Sequence, residues 1–258
     1  MRIVFSEYKS DYDHYIFPYA IWAFPEPDDH PSEAFALGFL PSSRDLDRFY
    51  MCRHVRVELS QFEPSSENRR IFRKGQGITY RLVERDQFQY NDAWRSFCKS
   101  YADAKFGADV MTEERLDALF QAPVCSHLMM YSDAATGQDI GLIVLYMAPP
   151  GVAFYYYSFY DLDYANKNLG MYMMTSAVEY AQQQGFDFIY LGSCYSRNAL
   201  YKTQFSGFQF WNGFTWSNDL KELKYLIHRD AQAVQQHLLE TQEYLQDFYP
   251  QGISEVIF

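Results

Sequence analysis

One stretch of the chain, from Phe154 to Phe210, constrains the fold more than any other. It opens with an aromatic run over Phe154 to Tyr160, whose composition is typical of a β-strand. A polar loop then leads to Gly170, and a second apolar run over Asp187 to Leu191 ends at Gly192. Between the runs, apolar residues recur at three- and four-residue steps, which predicts an amphipathic helix. The stretch therefore predicts a β-loop-α-β unit.

The loop before this helix is a candidate anion site. The first amides of a helix lack intrahelical partners, and the helix dipole adds partial positive charge there. Residues Ala165 to Met171 would form the cradle, and Gln184-Gly185 ends the helix. A β-α crossover also needs a turn at this position, so the pattern alone leaves a phosphate cradle and a purely structural turn both open.

Several short motifs occur in a fixed order along the chain. They are Gly38-Phe39, Cys52-Arg53-His54-Val55-Arg56, Phe62 to Arg70, Asp161 and Asp163 with Tyr164, Leu169-Gly170-Met171-Tyr172, Tyr190-Leu191-Gly192, and Tyr201-Lys202 with Phe205. In order and spacing, over about residues 17 to 212, they resemble the motifs of aminoacyl-tRNA-protein transferases. That family comprises the N-degron arginyltransferases and the bacterial aspartate/glutamate leucyltransferases.

The resemblance implies a reaction and a fold. The donor would be aminoacyl-tRNA as co-substrate with no other cofactor, the transferred residue Arg or Leu, and the acceptor a protein N-terminus beginning with Asp or Glu. The fold would be α+β, with a GNAT-like acyltransferase core of a mixed sheet flanked by helices. We divide the chain into an N-terminal lobe (1–85), this core (86–217) and a long C-terminal helix packed on it (218–258), which we expect to run to about Phe248.

Composition limits how the chain can meet nucleic acid. Its formal net charge of -11 argues against broad nonspecific binding, so any tRNA contact must come from a local basic surface. The four cysteines lie far apart without a Cys-x-x-Cys pair, so we expect no metal site, although the resembled family usually carries a cysteine cluster. No 18-residue apolar span occurs, and we expect a cytoplasmic protein without membrane contact.

Candidate site residues follow from the resemblance and from the expected chemistry. Two neighbouring strands that separate would leave backbone N–H groups free to hold the donor ester beside the attacking amine. The residues assigned to catalysis are Asp161, Asp163, Tyr157, Gly192 and Tyr195. The residues assigned to tRNA or substrate binding are Arg69, Arg70, Arg73, Lys74, Leu169, Gly170, Leu191, Ser193 and Lys202. For Asp161 and Asp163 a turn-forming role is equally open, and the basic residues also fit a solvated surface.

Two other functions remain open from the sequence. An acyl-CoA-dependent N-acyltransferase on the same fold would want a second small residue in the loop, and Asn166 to Met171 lacks it. A non-catalytic interaction module would bind no donor at all.

Overall fold

A computed structural model describes residues 1–13, 15–234 and 236–252, which form two sheets and seven helices. The strands are β1 (Arg2–Glu7), β2 (Tyr19–Phe24), β3 (Phe39–Pro41), β4 (Phe49–Met51), β5 (His54–Glu58), β6 (Ile78–Glu84), β7 (His127–Asp133), β8 (Asp139–Ala148), β9 (Val152–Tyr160), β10 (Phe188–Ser193), β11 (Phe208–Trp211) and β12 (Trp216–Ser217). The helices are α1 (Pro31–Ala36), α2 (Ser66–Lys74), α3 (Asp92–Phe106), α4 (Glu113–Gln121), α5 (Leu169–Gln183), α6 (Leu220–Asp230) and α7 (Gln242–Phe248).

The larger sheet has eight strands in the order β12-β11-β5-β10-β9-β8-β7-β6. Its pairs are antiparallel except β9 and β10, which are parallel and are connected through α5. The smaller sheet has the order β1-β2-β4-β3. The mixed sheet flanked by helices confirms the predicted α+β fold class and the predicted β-loop-α-β unit.

Two apolar cores cover the two faces of the eight-stranded sheet. On one face, Met173, Ala177 and Val178 of α5 pack with Ile71 of α2 and Leu223 of α6. The other face carries Phe35 of α1, helices α3 and α4, and Phe39 and Phe49 of the smaller sheet. Neighbouring residues of one strand lie in different cores, Phe154 and Tyr155 on β9 and Ile189 and Tyr190 on β10, so both strands are covered on both faces. No helix in the described part of the chain is long and apolar enough to cross a membrane.

Local sequence explains the helix boundaries. The Ser65 hydroxyl accepts a hydrogen bond from the Asn68 N–H, and the Asn68 side chain accepts one from the Ser65 N–H, which caps α2. Thr112 caps α4 in the same way through the N–H of Arg115. Gly185, with φ of 77°, follows the end of α5 where a left-handed residue is needed.

The structure corrects one expectation. The predicted long C-terminal helix is two helices, α6 and α7, because the chain turns back after Asp230; residues 253–258 of that segment lie outside the described residues. Residues 54–84, assigned to the N-terminal lobe, supply β5 and β6 to the larger sheet. The division into domains itself stays a prediction.

Candidate functional site

The two parallel strands stop pairing halfway along their length. Phe188, Ile189 and Tyr190 of β10 pair with Val152, Ala153 and Phe154 of β9. Beyond Tyr190 and Phe154 no further pair joins them in the described residues, although β9 continues to Tyr160 and β10 to Ser193. The predicted separation of these strands is therefore present, and Leu191 is the first residue of β10 that no longer pairs with β9.

A bulge follows the last pair on each strand. Val144 pairs with Tyr157 and Leu145 with Tyr155, so Tyr156 is an extra residue in β9. On β10, the register against β5 shifts between Tyr190 and Gly192, so Leu191 is the extra residue. Bulges bend a strand and redirect its side chains. The two bulges therefore stand opposite each other where the strands separate.

A cavity of about 680 Å³ lies beside the separated strands at the start of α5; we call it the α5 cavity. Its wall is largely aromatic and polar, and it includes the predicted Leu169 and Gly170. The lining residues are Tyr101, Lys105, Phe106, Tyr155, Ser158, Tyr160, Leu162, Asn168, Leu169, Gly170, Met171, Met174, Asn198 and Tyr201.

The start of α5 leaves its first amides free of a side-chain cap. Asn168, the residue before the helix, has φ of 52° and makes no capping hydrogen bond. Gly170 is required there because a Cβ atom would come within 2.7 Å of the Tyr160 hydroxyl oxygen. The uncapped helix start, together with Lys105, gives the cavity a locally positive side on an acidic protein. The anion cradle at this loop stays a prediction, and the side chains of Ala165 and Asn166 lie outside the described residues.

Lys202 lies against the end of β10. Its Nζ donates a hydrogen bond of 2.8 Å to the Ser193 carbonyl, and an added Cβ on Gly192 would stand 3.6 Å from it. Burial lowers the pKa of Lys202, and the nearby Cys194 and Cys52 thiols act in the opposite direction. The structure therefore brings Gly192, Ser193 and Lys202 together.

Tyr195 borders the same end of β10. Its hydroxyl accepts a hydrogen bond of 2.7 Å from the Arg53 N–H, and the Arg53 guanidinium lies 5.0 Å from its ring centre. Arg53 in turn pairs with Asp230 of α6 at 2.6 Å. Burial raises the pKa of Tyr195, so the phenol stays neutral near pH 7. These contacts hold the ring in place while half of the residue remains exposed.

Asp161 and Asp163 form the turn that leads out of β9. An Asp161 carboxylate oxygen accepts a hydrogen bond of 2.9 Å from the Asp163 N–H, and the Asp161 N–H donates to the Ile140 carbonyl. Neither aspartate belongs to the residues that line the α5 cavity. The turn-forming role is thus observed for Asp161, and a catalytic role for either carboxylate stays a prediction.

The predicted basic cluster lies on α2, not at the end of a strand. Helix α2 rests on the first half of α5, where Phe72 meets the Tyr172 ring edge-on at 6.1 Å. Arg70 is paired with Glu67 through its Nε at 2.7 Å, and Arg69 donates to the Pro64 carbonyl. Arg73 and Lys74 have no carboxylate within 4.0 Å among the described residues. The cluster therefore lies on a helix that packs against α5, and none of its residues lines the α5 cavity.

Tyr157 faces a second pocket, of about 590 Å³, on the other face of β9. We call it the arginine pocket, because Arg44, Arg48 and Arg115 line it. Ser42, Ser43, Asp45, Met111, Glu114, Leu119 and Tyr156 complete the wall. Sequence reasoning missed all three arginines. Arg44 and Arg48 stand four residues apart in a loop, and this spacing could have indicated a basic site. Nothing in the sequence connects them with Arg115.

Comparisons with known proteins give a consistent result. A sequence profile for the family described as "Arginine-tRNA-protein transferase, C terminus" matches residues 86–212, which contain β9, α5 and β10. An aspartate/glutamate leucyltransferase of Cereibacter sphaeroides is 25% identical over 174 residues, 65% of this chain and 62% of that protein. One from Ruegeria pomeroyi is 27% identical over 169 residues, 64% of this chain and 61% of that protein. The chain thus spans less than two thirds of the length of these relatives.

Among solved structures, L-PGS from Bacillus licheniformis superimposes with a TM-score of 0.45 at 12% identity, covering 69% of this chain and 64% of that one.

Proposed function

We propose that the chain transfers an amino acid from aminoacyl-tRNA to the N-terminal α-amine of a protein, because residues 86–212 match the profile of the arginine-tRNA-protein transferase C terminus and the similar proteins are aspartate/glutamate leucyltransferases. The observation that supports this most strongly is the separation of β9 and β10 beyond Phe154 and Tyr190, which opens beside the α5 cavity. Both strands and α5 lie within the residues that match the family.

The reaction needs little help from an ionising side chain. The acceptor nitrogen attacks the ester carbonyl of the donor, a new amide bond forms, and the bond to the ribose oxygen of tRNA breaks as that oxygen takes up a proton. An α-amine has a reference pKa of about 7.7 to 8.0, so roughly a tenth to a fifth is neutral near pH 7. Holding amine and ester together can supply roughly 7 to 11 kcal/mol.

We assign the donor's aminoacyl end to the α5 cavity. A volume of about 680 Å³ is in the range of small-ligand sites. The half-exposed Tyr201 and the partly exposed Tyr160 offer aromatic surfaces for a terminal base, and the uncapped start of α5 offers N–H donors for a phosphate. In this proposal the ester carbonyl approaches β10 at Gly192 and Ser193. Lys202 holds the Ser193 carbonyl in place by donating a hydrogen bond to it. No cofactor besides the co-substrate is part of this proposal.

The finer proposal concerns which groups are joined. The relatives are named aspartate/glutamate leucyltransferases and the matching profile is named for arginine, so the transferred residue is Leu or Arg and the acceptor begins with Asp or Glu. A product with a new N-terminal Leu or Arg is what an N-degron pathway would use. The proposed setting is the cytoplasm, where charged tRNA is available.

A transfer assay tests the proposal. Purified full chain is incubated with Leu-tRNA, Arg-tRNA or acetyl-CoA and a peptide beginning with Asp, and the peptide mass is measured. We expect a gain of one leucyl or arginyl residue and no acetylation. Acetylation alone would favour the acyl-CoA function, and no gain with any donor would leave only an interaction module.

One matched pair of variants assigns the site. Lys202→Ala removes the amine that bonds the Ser193 carbonyl, and we expect at least about a tenfold loss of transfer. Lys224→Ala removes an exposed lysine of α6 and should leave the rate unchanged. Equal rates in both variants would exclude Lys202 from the site.

A further inference from the structure

The arginine pocket lies on the face of β9 opposite the α5 cavity. Tyr155 faces the core that holds α5, whereas Tyr156 and Tyr157 both belong to the other core. Consecutive strand residues normally point to opposite faces, and the bulge at Tyr156 breaks that alternation. The ring centres of Tyr156 and Tyr157 lie 4.7 Å apart, and the two rings form one wall of the pocket. The same bulge that accompanies the strand separation therefore shapes this pocket.

The three guanidinium groups of the pocket have unused capacity. None has a carboxylate within 4.0 Å in the described part of the chain. Their hydrogen bonds go to neutral oxygens: Arg44 to the Arg115 carbonyl at 3.3 Å, Arg115 to the Val110 carbonyl at 3.1 Å, and Arg48 to the Ser42 hydroxyl at 3.1 Å. A guanidinium has five N–H donors in a fork that matches a carboxylate, so most of these donors remain free.

The guanidinium groups of Arg44 and Arg115 lie near the partly buried ring of Tyr156. Burial raises the pKa of Tyr156 to about 12, and the guanidiniums of Arg115 and Arg44 act against that rise. The cations thus lie near a phenol that stays neutral at pH 7. Met111 and Leu119 beneath them are buried and apolar, which lowers the competition from water for an anion bound above.

Two carboxylates in the arginine pocket limit which ligands it can bind. Asp45 and Glu114 line the pocket with the arginines, so its charge is mixed. The phosphates of tRNA form a polyanion, which both carboxylates would repel. The N-terminus of a peptide that begins with Asp or Glu carries one ammonium and one carboxylate only a few bonds apart, and a mixed-charge pocket matches that pattern.

We infer that the arginine pocket binds the first residue of the acceptor protein, with Arg44 and Arg115 holding its side-chain carboxylate and Asp45 and Glu114 facing its α-ammonium. This assignment rests on the proposed function, which requires an acceptor site, and the pocket reaches β9 at the Tyr156 bulge, where β9 and β10 no longer pair. It makes Arg44 and Arg115 the specificity-determining residues for an acidic first residue.

A binding experiment without tRNA tests the inference separately from catalysis. Fluorescently labelled peptides that differ only in Asp or Asn at position one are titrated with the full chain. We expect the Asp peptide to bind at least about tenfold more tightly, since a hydrogen-bonded charge pair is replaced by a neutral amide of the same shape. In R44Q/R115Q this preference should disappear. Arg81 lies on the edge strand β6, and its guanidinium is held by Asp139 of β8. Arg81→Gln should therefore retain the preference for Asp.

Three outcomes would overturn the inference. One is an undiminished Asp preference in R44Q/R115Q. Another is equal binding of both peptides to the unsubstituted chain. The third is a loss of tRNA binding in R44Q/R115Q with peptide preference intact, which would move the pocket to the donor side. If the Asp preference follows the arginines but no donor is used in the transfer assay, the pocket assignment stands and the proposed transferase function fails.

Discussion

Among single residues, Gly192 combines a backbone conformation that favours glycine with a position beside Lys202 in the proposed site. Its φ of 84° lies in the left-handed region, and Lys202 Nζ stands 3.6 Å from where a Cβ atom would be. Gly192→Ala should cost about 1–2 kcal/mol of unfolding free energy, the usual penalty for an L-residue in that region. It should also reduce transfer at least about tenfold, because the Ser193 carbonyl and Lys202 would shift together.

A second glycine provides the control for that prediction. Gly185 has φ of 77° with nothing within 4 Å of an added Cβ, and it lies at the far end of α5 from the cavity. Gly185→Ala should therefore lose similar stability in urea unfolding while transferring at the normal rate. If both variants transferred equally well at matched folded fraction, the assignment of Gly192 to the site would be wrong.

His54 gives a prediction about pH. It is fully buried, and burial lowers its pKa to about 3. Its Nδ1 lies 2.9 Å from the Cys52 carbonyl, so the single proton of the neutral ring sits on Nδ1. In the unfolded chain the reference pKa is about 6.5, so acid protonates the unfolded state first and stability falls as pH drops below that value.

The expected effect of His54 is measurable with urea. From this group alone, the unfolding free energy should drop by about 1.1 kcal/mol per pH unit on average between pH 6.5 and 5, because the slope grows from about half of its limiting value of ~1.4 kcal/mol per unit at pH 6.5 to nearly all of it at pH 5. Asn at position 54 can keep the donor to the Cys52 carbonyl but cannot titrate, so His54→Asn should show a flatter curve. Burial also lowers the pKa of His127, which leaves a smaller slope of the same sign in the variant. Identical slopes in the two proteins would show that His54 is not buried as a neutral ring.

At the scale of elements, the C-terminal helices are joined by one buried carboxylate. The Glu222 Oε1 accepts hydrogen bonds from Asn212 at 2.9 Å, Tyr244 at 2.5 Å and Tyr249 at 3.1 Å. Glu222→Gln should cost roughly 1–3 kcal/mol, because charge-assisted bonds become neutral ones in a buried site. Tyr244→Phe should then cost less in that background than in the unsubstituted chain, and strictly additive losses would contradict the shared network.

The same network shows where prediction from sequence ends. The β-loop-α-β unit was predictable because strand, helix and turn signals lie side by side in residues 154–192. The return of α7 was not, since apolar spacing continues past Asp230 and only the distant contacts of Tyr244 and Tyr249 with Glu222 decide the turn. The arginine pocket was missed for the same reason: Arg44 and Arg115 are 71 positions apart and meet only through packing.

For the whole molecule, the proposed function and a net charge of -11 together require that tRNA be recognised by a small basic surface. We assign this role to helix α2, which packs on α5 and carries four cations. Its cations are not equivalent. Glu67 neutralises Arg70, whereas Arg73 and Lys74 have no carboxylate within 4.0 Å among the described residues. The affinity for tRNA should therefore depend on salt through Arg73 and Lys74 more than through Arg70.

Measuring tRNA affinity by fluorescence anisotropy at several salt concentrations tests this division. Each phosphate contact contributes nearly one unit to the slope of log affinity against log salt, so R73Q/K74Q should lower that slope by roughly one to two. Arg70→Gln should change it little, and Glu67→Gln should raise it by freeing the Arg70 guanidinium. A non-specific charge effect would change the salt slope of every variant in proportion to its change in formal charge. If the change in slope per removed charge were the same in R73Q/K74Q and in Arg70→Gln, the tRNA surface would lie elsewhere on the molecule.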